Sequence, residues 1–248
     1  MAGSIDKYVP AALQVYFKQT RSHFFGLLSI LLLLVIYEVS SAKLYADQQI
    51  QIRNSAEIMI KRVFWFMGVR NSVFLWLIYF AILAWAFWLA QKQQLLNFKF
   101  VYIPYSIFES TLYALLLGLI AGRLTERTTL MVAPQDHNEL AVGAKMTLAL
   151  GAGIYEELLF RFFILSVLLF VFDKLVGGKR VVHALLAVLI SAALFSLFHY
   201  LGGREAFTFA SFWFRLYAGL ILGWLYVVRG IGVTSYTHAI YNLLLILR

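Results

Sequence analysis

The 248-residue chain has no cysteine, only three prolines, and a charged fraction of just 13%. Without cysteine there can be no disulfide framework, no thiolate metal site and no cysteine nucleophile. The charged share is about half that of an ordinary soluble domain. Against these shortages, 62% of the residues are hydrophobic and 17% aromatic. A soluble fold of this length could not bury so much apolar surface, and the remainder would stand out as aggregating patches. Disorder, collagen and coiled coil are excluded by the same composition. The net charge of +9 would suit a nucleic-acid binder. Here the basic residues lie between apolar runs, as expected for contacts with anionic headgroups. The expected partner is the lipid bilayer, not nucleic acid.

The apolar runs approach the ~20 residues of helix that cross a bilayer. They cover residues 24–41, 73–90, 100–122, 144–172, 184–201, 207–228 and 231–247. The fold expected is all-α: a polytopic membrane bundle of about seven to eight helices enclosing a polar cavity. Residues 1–21, with Lys7, Lys18 and Arg21 among apolar positions, predict an amphipathic helix on the membrane surface. Residues 58–67 predict a second interfacial helix. No Pro/Ser linker or internal repeat divides the chain. Residues 1–248 therefore read as one integral membrane domain, multi-pass in the plasma membrane. Within it, residues 1–139 supply N-terminal helices of unknown role.

Polar groups placed where lipid should be carry the functional signal. Glu156, Glu157 and Arg161 lie in G-A-G-I-Y-E-E-L-L-F-R-F-F, with apolar sequence on both sides. Each charge facing lipid at mid-helix would cost ~2.5–3.5 kcal/mol even on the lenient insertion scale, so all three must turn inward. Glu157 and Arg161 are four apart and can pair along one face. One Arg neutralises one carboxylate, which leaves Glu156 poised and argues against a purely structural ion pair. F-S-L-F-H-Y then places His199 late in the fifth run. T-H-A-I-Y-N places His238 and Asn242 on one helix face. Glu156, His199, His238 and Asn242 together supply a general base, a second proton-handling group and two donors. Attack of water on a carbonyl needs that set.

E-E-x-x-x-R, F-x-x-x-H and H-x-x-x-N, in this order on successive apolar helices, resemble the CPBP family. It comprises intramembrane endopeptidases, including the CAAX prenyl proteases and many bacterial "Abi" proteins. The likeness covers residues 140–248, which would form the catalytic core. It implies that Glu156, assisted by His199, activates water, and that His238 and Asn242 stabilise the oxyanion. Glu157 and Arg161 would orient the base and hold the helix geometry. It also implies a glutamic-type protease with no cofactor and no metal, acting on a membrane-associated protein or peptide near its C-terminal or membrane-proximal end.

Other intramembrane chemistries lack their usual residues. No G-x-S-x-G occurs, and none of Asp6, Asp47, Asp136 and Asp173 lies in an apolar run. There is no H-E-x-x-H for a zinc helix. A zinc site from Glu156, His199 and His238 remains an alternative, since two His and one Glu are a known catalytic ligand set. A non-catalytic membrane immunity or binding protein is the other alternative. Glu109 and Arg215, inside separate runs, are expected to pair structurally across helices. His183 is expected at the interface, His23 and His137 near water or headgroups, and Gly202-Gly203 at a mobile rim beside His199.

Overall fold

The computed structural model describes residues 10–48, 53–70, 72–92, 99–129, 140–201 and 206–247. His137 and Gly202-Gly203 lie outside them. The described chain is all-α. Its helices are α1 (Ala11–Thr20), α2 (His23–Gln48), α3 (Ser55–Phe66), α4 (Ser72–Lys92) and α5 (Tyr102–Thr129). Next comes one continuous helical rod over residues 142–175. It begins as α6 (Val142–Gly151), widens into π-helical segments at Ala152–Glu156 and Leu158–Leu165, and returns to α7 (Ser166–Leu175). Then follow α8 (Arg180–Phe198), α9 (Phe209–Arg229) and α10 (Ile231–Ile246).

Among the described residues, His23–Ala46, Tyr102–Thr129, Arg180–Phe198 and Phe209–Arg229 are long and apolar enough to cross a membrane. Trp76–Lys92 is a shorter apolar helix. The two remaining expected runs take other forms. Run 144–172 becomes the partly π-helical rod. Run 231–247 becomes α10, whose 16 residues give ~24 Å of helix. Every residue of α10 from Ile231 to Ala239 is buried. A helix buried on all sides is a core helix, and α10 is the post around which α2, α5, the rod and α9 gather. The outer faces carry exposed Phe74, Leu77, Trp85 and Phe108, side chains suited to lipid. Of the expected segment 1–21, residues 11–20 form α1, and residues 1–9 lie outside the described ones. The expected segment 58–67 falls largely in α3, which starts at Asn54, whose side chain accepts from the Ala56 amide as its N-cap.

The rod meets α10 at small residues. A Cβ on Gly153 would lie 2.6 Å from the Ala239 Cβ and 2.8 Å from the Ser235 carbonyl oxygen. Small residues let membrane helices approach backbone to backbone, and here that approach sets the rod's charged turn against His238.

Two expectations are corrected. Glu109 does not pair with Arg215. It is held by Arg229, whose Nε and Nη2 donate at 2.6 and 2.8 Å, because Arg229 closes α9 beside α5 and α1. Arg215 Nη1 instead donates to the Tyr200 hydroxyl at 3.2 Å. His183 is buried rather than at a wet interface, with Nδ1 2.8 Å from Asp173 Oδ1. His23 is exposed.

Gly153→Val places two further methyl groups where a single Cβ already collides with α10 backbone. Overpacking of this kind costs ~1–3 kcal/mol. The variant is expected to accumulate poorly and melt at lower temperature in detergent. A wild-type melting curve would show that the rod and α10 part freely here.

Candidate functional site

Glu156 and Glu157 are neighbours in sequence, and both are buried together with Arg161. An α-helix would set the two carboxylates about 100° apart. The winding around them is π-helical, at Ala152–Glu156 and Leu158–Leu165, and π-helical turns are frequent at functional sites. Glu157 is the structural centre. Its Oε1 lies 3.0 Å from Arg161 Nη1 and 2.7 Å from His238 Nδ1. Glu157 thus orients the imidazole on α10 as well as pairing along the rod.

Glu156 faces the other way. Its Oε2 is 3.9 Å from His199 Nε2 and 3.9 Å from His238 Nε2. Its Oε1 accepts from Asn54 Nδ2 at 3.0 Å. His199 Nδ1 sits 2.9 Å from the Phe195 carbonyl oxygen. A carbonyl only accepts, so Nδ1 carries the proton and Nε2 of the neutral ring offers a lone pair to the site. By the same reasoning, His238 donates from Nδ1 to the Glu157 carboxylate, and its Nε2 faces Glu156. His199 is the open edge of the cluster, with 24% of its side chain exposed against 8% for Glu156.

Phe195 packs beneath all of this. The Arg161 guanidinium lies 4.3 Å from its ring centre, within cation–π range. The His199 and His238 rings meet it edge-on at 4.9 and 5.9 Å. Asn242 lies one turn beyond His238 on α10 and is half-buried. Among the described residues no hydrogen bond joins it to the cluster. Among those residues, too, no group of three or more His, Asp or Glu side chains is disposed to hold a metal ion. An apolar cavity of about 320 Å³, lined by Leu117, Ile221, Trp224 and Val228, lies apart from the polar cluster.

Sequence reasoning named Glu156, Glu157, Arg161, His199 and His238, and the structure gathers these five. It did not single out Phe195 or Asn54. Phe195 was legible only as the first letter of F-x-x-x-H. Asn54 lies in a polar connection where an asparagine attracts no notice.

A helical membrane bundle with paired carboxylates and histidines at its centre has the groups for hydrolysis inside a membrane. Residues 139–244 match the family model described as type II CAAX prenyl endopeptidase Rce1-like, which is the CPBP family, a family of proteases. The match takes in α6 to α10, with both glutamates, Arg161, both histidines and Asn242. It leaves out α1 to α5 and Asn54. Comparisons with the curated proteins and with the solved structures gave no match.

Arg161→Ala strands Glu157 as a buried charge with only His238 beside it. Breaking a buried pair by removing one partner costs ~3–5 kcal/mol. The variant is expected to lose folded protein and melting temperature together. A normally stable Arg161→Ala would remove this structural role.

Proposed function

We propose that the chain is a multi-pass intramembrane endopeptidase of the plasma membrane. In this reading it hydrolyses a peptide bond near the C-terminal or membrane-proximal end of a membrane-associated protein, with water activated by Glu156. The observation that carries the reading is the convergence of Glu156 Oε2 with the Nε2 atoms of His199 and His238. Separations of 3.9 Å are too long for direct hydrogen bonds and suit one bridging water.

The chemistry follows from the tautomers. A water donating one hydrogen to Glu156 Oε2 and the other to His199 Nε2 turns an oxygen lone pair toward the substrate carbonyl. As the C–O bond forms, the first proton passes to Glu156. His238, protonated against the Glu157 carboxylate, presents Nε2–H to the oxyanion. Asn242 supplies a second donor once substrate is in place. Collapse of the tetrahedral intermediate breaks the C–N bond, and Glu156 returns its proton to the leaving nitrogen. The described helices and the cluster they enclose support treating residues 1–248 as one integral membrane domain whose catalytic part is residues 140–248.

The zinc alternative rests on residue type, since Glu156 lies 3.9 Å from the Nε2 atoms of two histidines and two His with one Glu are a known catalytic ligand set. Chelation decides between the two. Cleavage unaffected by a strong zinc chelator supports the water reading. Activity lost to the chelator and restored by zinc transfers the assignment to a metalloprotease.

Glu156→Gln keeps shape and removes the base. Cleavage of a farnesylated peptide ending Cys-aliphatic-aliphatic-X, presented in liposomes, is expected to fall by ~10²–10⁴ while the protein accumulates normally. Asn242→Ala is expected to keep a trace, because a single oxyanion donor is worth about 10²–10³ in rate. Wild-type cleavage by Glu156→Gln would end the glutamate mechanism, whereas absence of cleavage by the wild-type protein itself would favour the non-catalytic binding alternative.

A further inference from the structure

Asn54 lies outside the matched segment, yet its side chain touches the carboxylate proposed to activate water. We infer that Asn54 is a positioning residue for the reaction, holding Glu156 so that Oε2 faces the two histidines. The inference rests on the glutamate-protease reading above.

The orientation of the Asn54 amide is fixed by its own helix. Oδ1 accepts from the Ala56 backbone N–H at 2.8 Å, so only Nδ2, the donor, can face Glu156 Oε1, at 3.0 Å. The last torsion of a glutamate is broad and weakly restrained. A donor on Oε1 restrains it and leaves Oε2 as the oxygen aimed at His199 and His238. Asn54 is itself buried and held. Its backbone N–H points at the Tyr37 hydroxyl, 3.4 Å away. That hydroxyl donates to buried Glu57. Glu57 is ion-paired with Arg53 at 3.2 Å and with Lys61.

The rod makes room for this contact. A Cβ on Gly151 would lie 3.0 Å from the Asn54 Cβ and 2.9 Å from Tyr37 Cε2. Gly151 precedes Glu156 by five residues, the hydrogen-bonding interval of a π-helix, so the bare position and the carboxylate share a face. Among the common cap residues only asparagine serves both ends. Aspartate would cap α3 but turn an oxygen toward a carboxylate. Serine would cap α3 but fall short of Glu156.

That difference supplies the test. Asn, Asp and Ser are similar N-caps, so Asn54→Ser keeps the start of α3 and removes only the reach to Glu156. On the farnesylated peptide in liposomes, its kcat is expected to fall about 10²-fold, the scale of a misplaced reacting group. KM and the amount of folded protein are expected to stay at wild-type values, with only a small drop in melting temperature from the lost hydrogen bond. Asn54→Asp is expected to lose at least as much kcat. Wild-type kcat in Asn54→Ser, or a loss of activity matched by a loss of folded protein, would overturn the inference and leave Asn54 a helix cap only. Glu156→Gln in the same liposomes separates the two proposals. If it is inactive while Asn54→Ser cleaves normally, only the Asn54 role falls; if it cleaves normally, the glutamate reading falls. The contact is also read without substrate, from melting of Asn54→Ser, Glu156→Ala and the double variant. Groups in contact give non-additive losses, and strictly additive losses would overturn it.

Discussion

Two carboxylates adjacent in sequence, both kept inside an apolar bundle, impose the constraint that the rest of this architecture answers. Neither can face lipid cheaply, and an ordinary α-helix would direct them apart. The chain meets the constraint by giving Glu157 two partners inside the bundle. Arg161 comes from the next turn of the same rod. His238 comes from α10. Both converge on Glu157, which pairs with one and hydrogen-bonds the other, and Glu156 is left facing the histidine pair. The close crossing at Gly153, Ser235 and Ala239 serves this arrangement. Without backbone-to-backbone approach, the His238 ring would not reach Glu157.

Phe195 explains why the cluster can be rigid without more polar partners. A buried guanidinium has more donors than one carboxylate can satisfy. Here one of its faces rests on an aromatic ring, and Nη2 points at the Gly219 carbonyl oxygen 3.5 Å away. The same ring bounds both histidines, so the two imidazoles and the guanidinium share one apolar floor. Of the Glu156–His199 pair, His199 has the more exposed side chain.

Charge in the wrong place was what sequence could read. Glu156, Glu157, Arg161, His199 and His238 stand out because each interrupts an apolar run, and the cost of burying them forces a partner. The helical class follows from run length in the same way. The signal weakens wherever a polar residue sits at the end of a run or outside one. Arg229 ends α9, outside the apolar run, whereas Arg215 lies inside one, so the sequence pattern points to Arg215 while the structure pairs Glu109 with Arg229. Asn54 sits in a polar connection, where a helix cap is sufficient reason for it. The π-helical winding left no mark, because the residues around Glu156 are apolar in either winding. Only the three-dimensional crossing with α10 and the contact with Asn54 show why the wider turn is useful.

The N-terminal helices are bound to the core by the same device on a smaller scale. Arg229 of α9 grips Glu109 of α5 and donates to Thr20 Oγ1 at 2.9 Å. The Tyr16 hydroxyl of α1 donates to Glu109 at 2.6 Å. Arg21 donates to the Val227 carbonyl at 3.0 Å. On the other side, Tyr37 of α2 and Asn54 before α3 reach the rod at Gly151 and Glu156. Apart from the Tyr16–Glu109 bond, each contact joins the residues before 139 to those after it, and several use charged groups that would be costly to leave unpaired once buried. Separating the two parts would strand Arg229 on one side and Glu109 on the other. Fold and candidate site thus share one solution: Glu109 and Glu156, ionisable groups drawn inward, each find a partner from the other part of the chain.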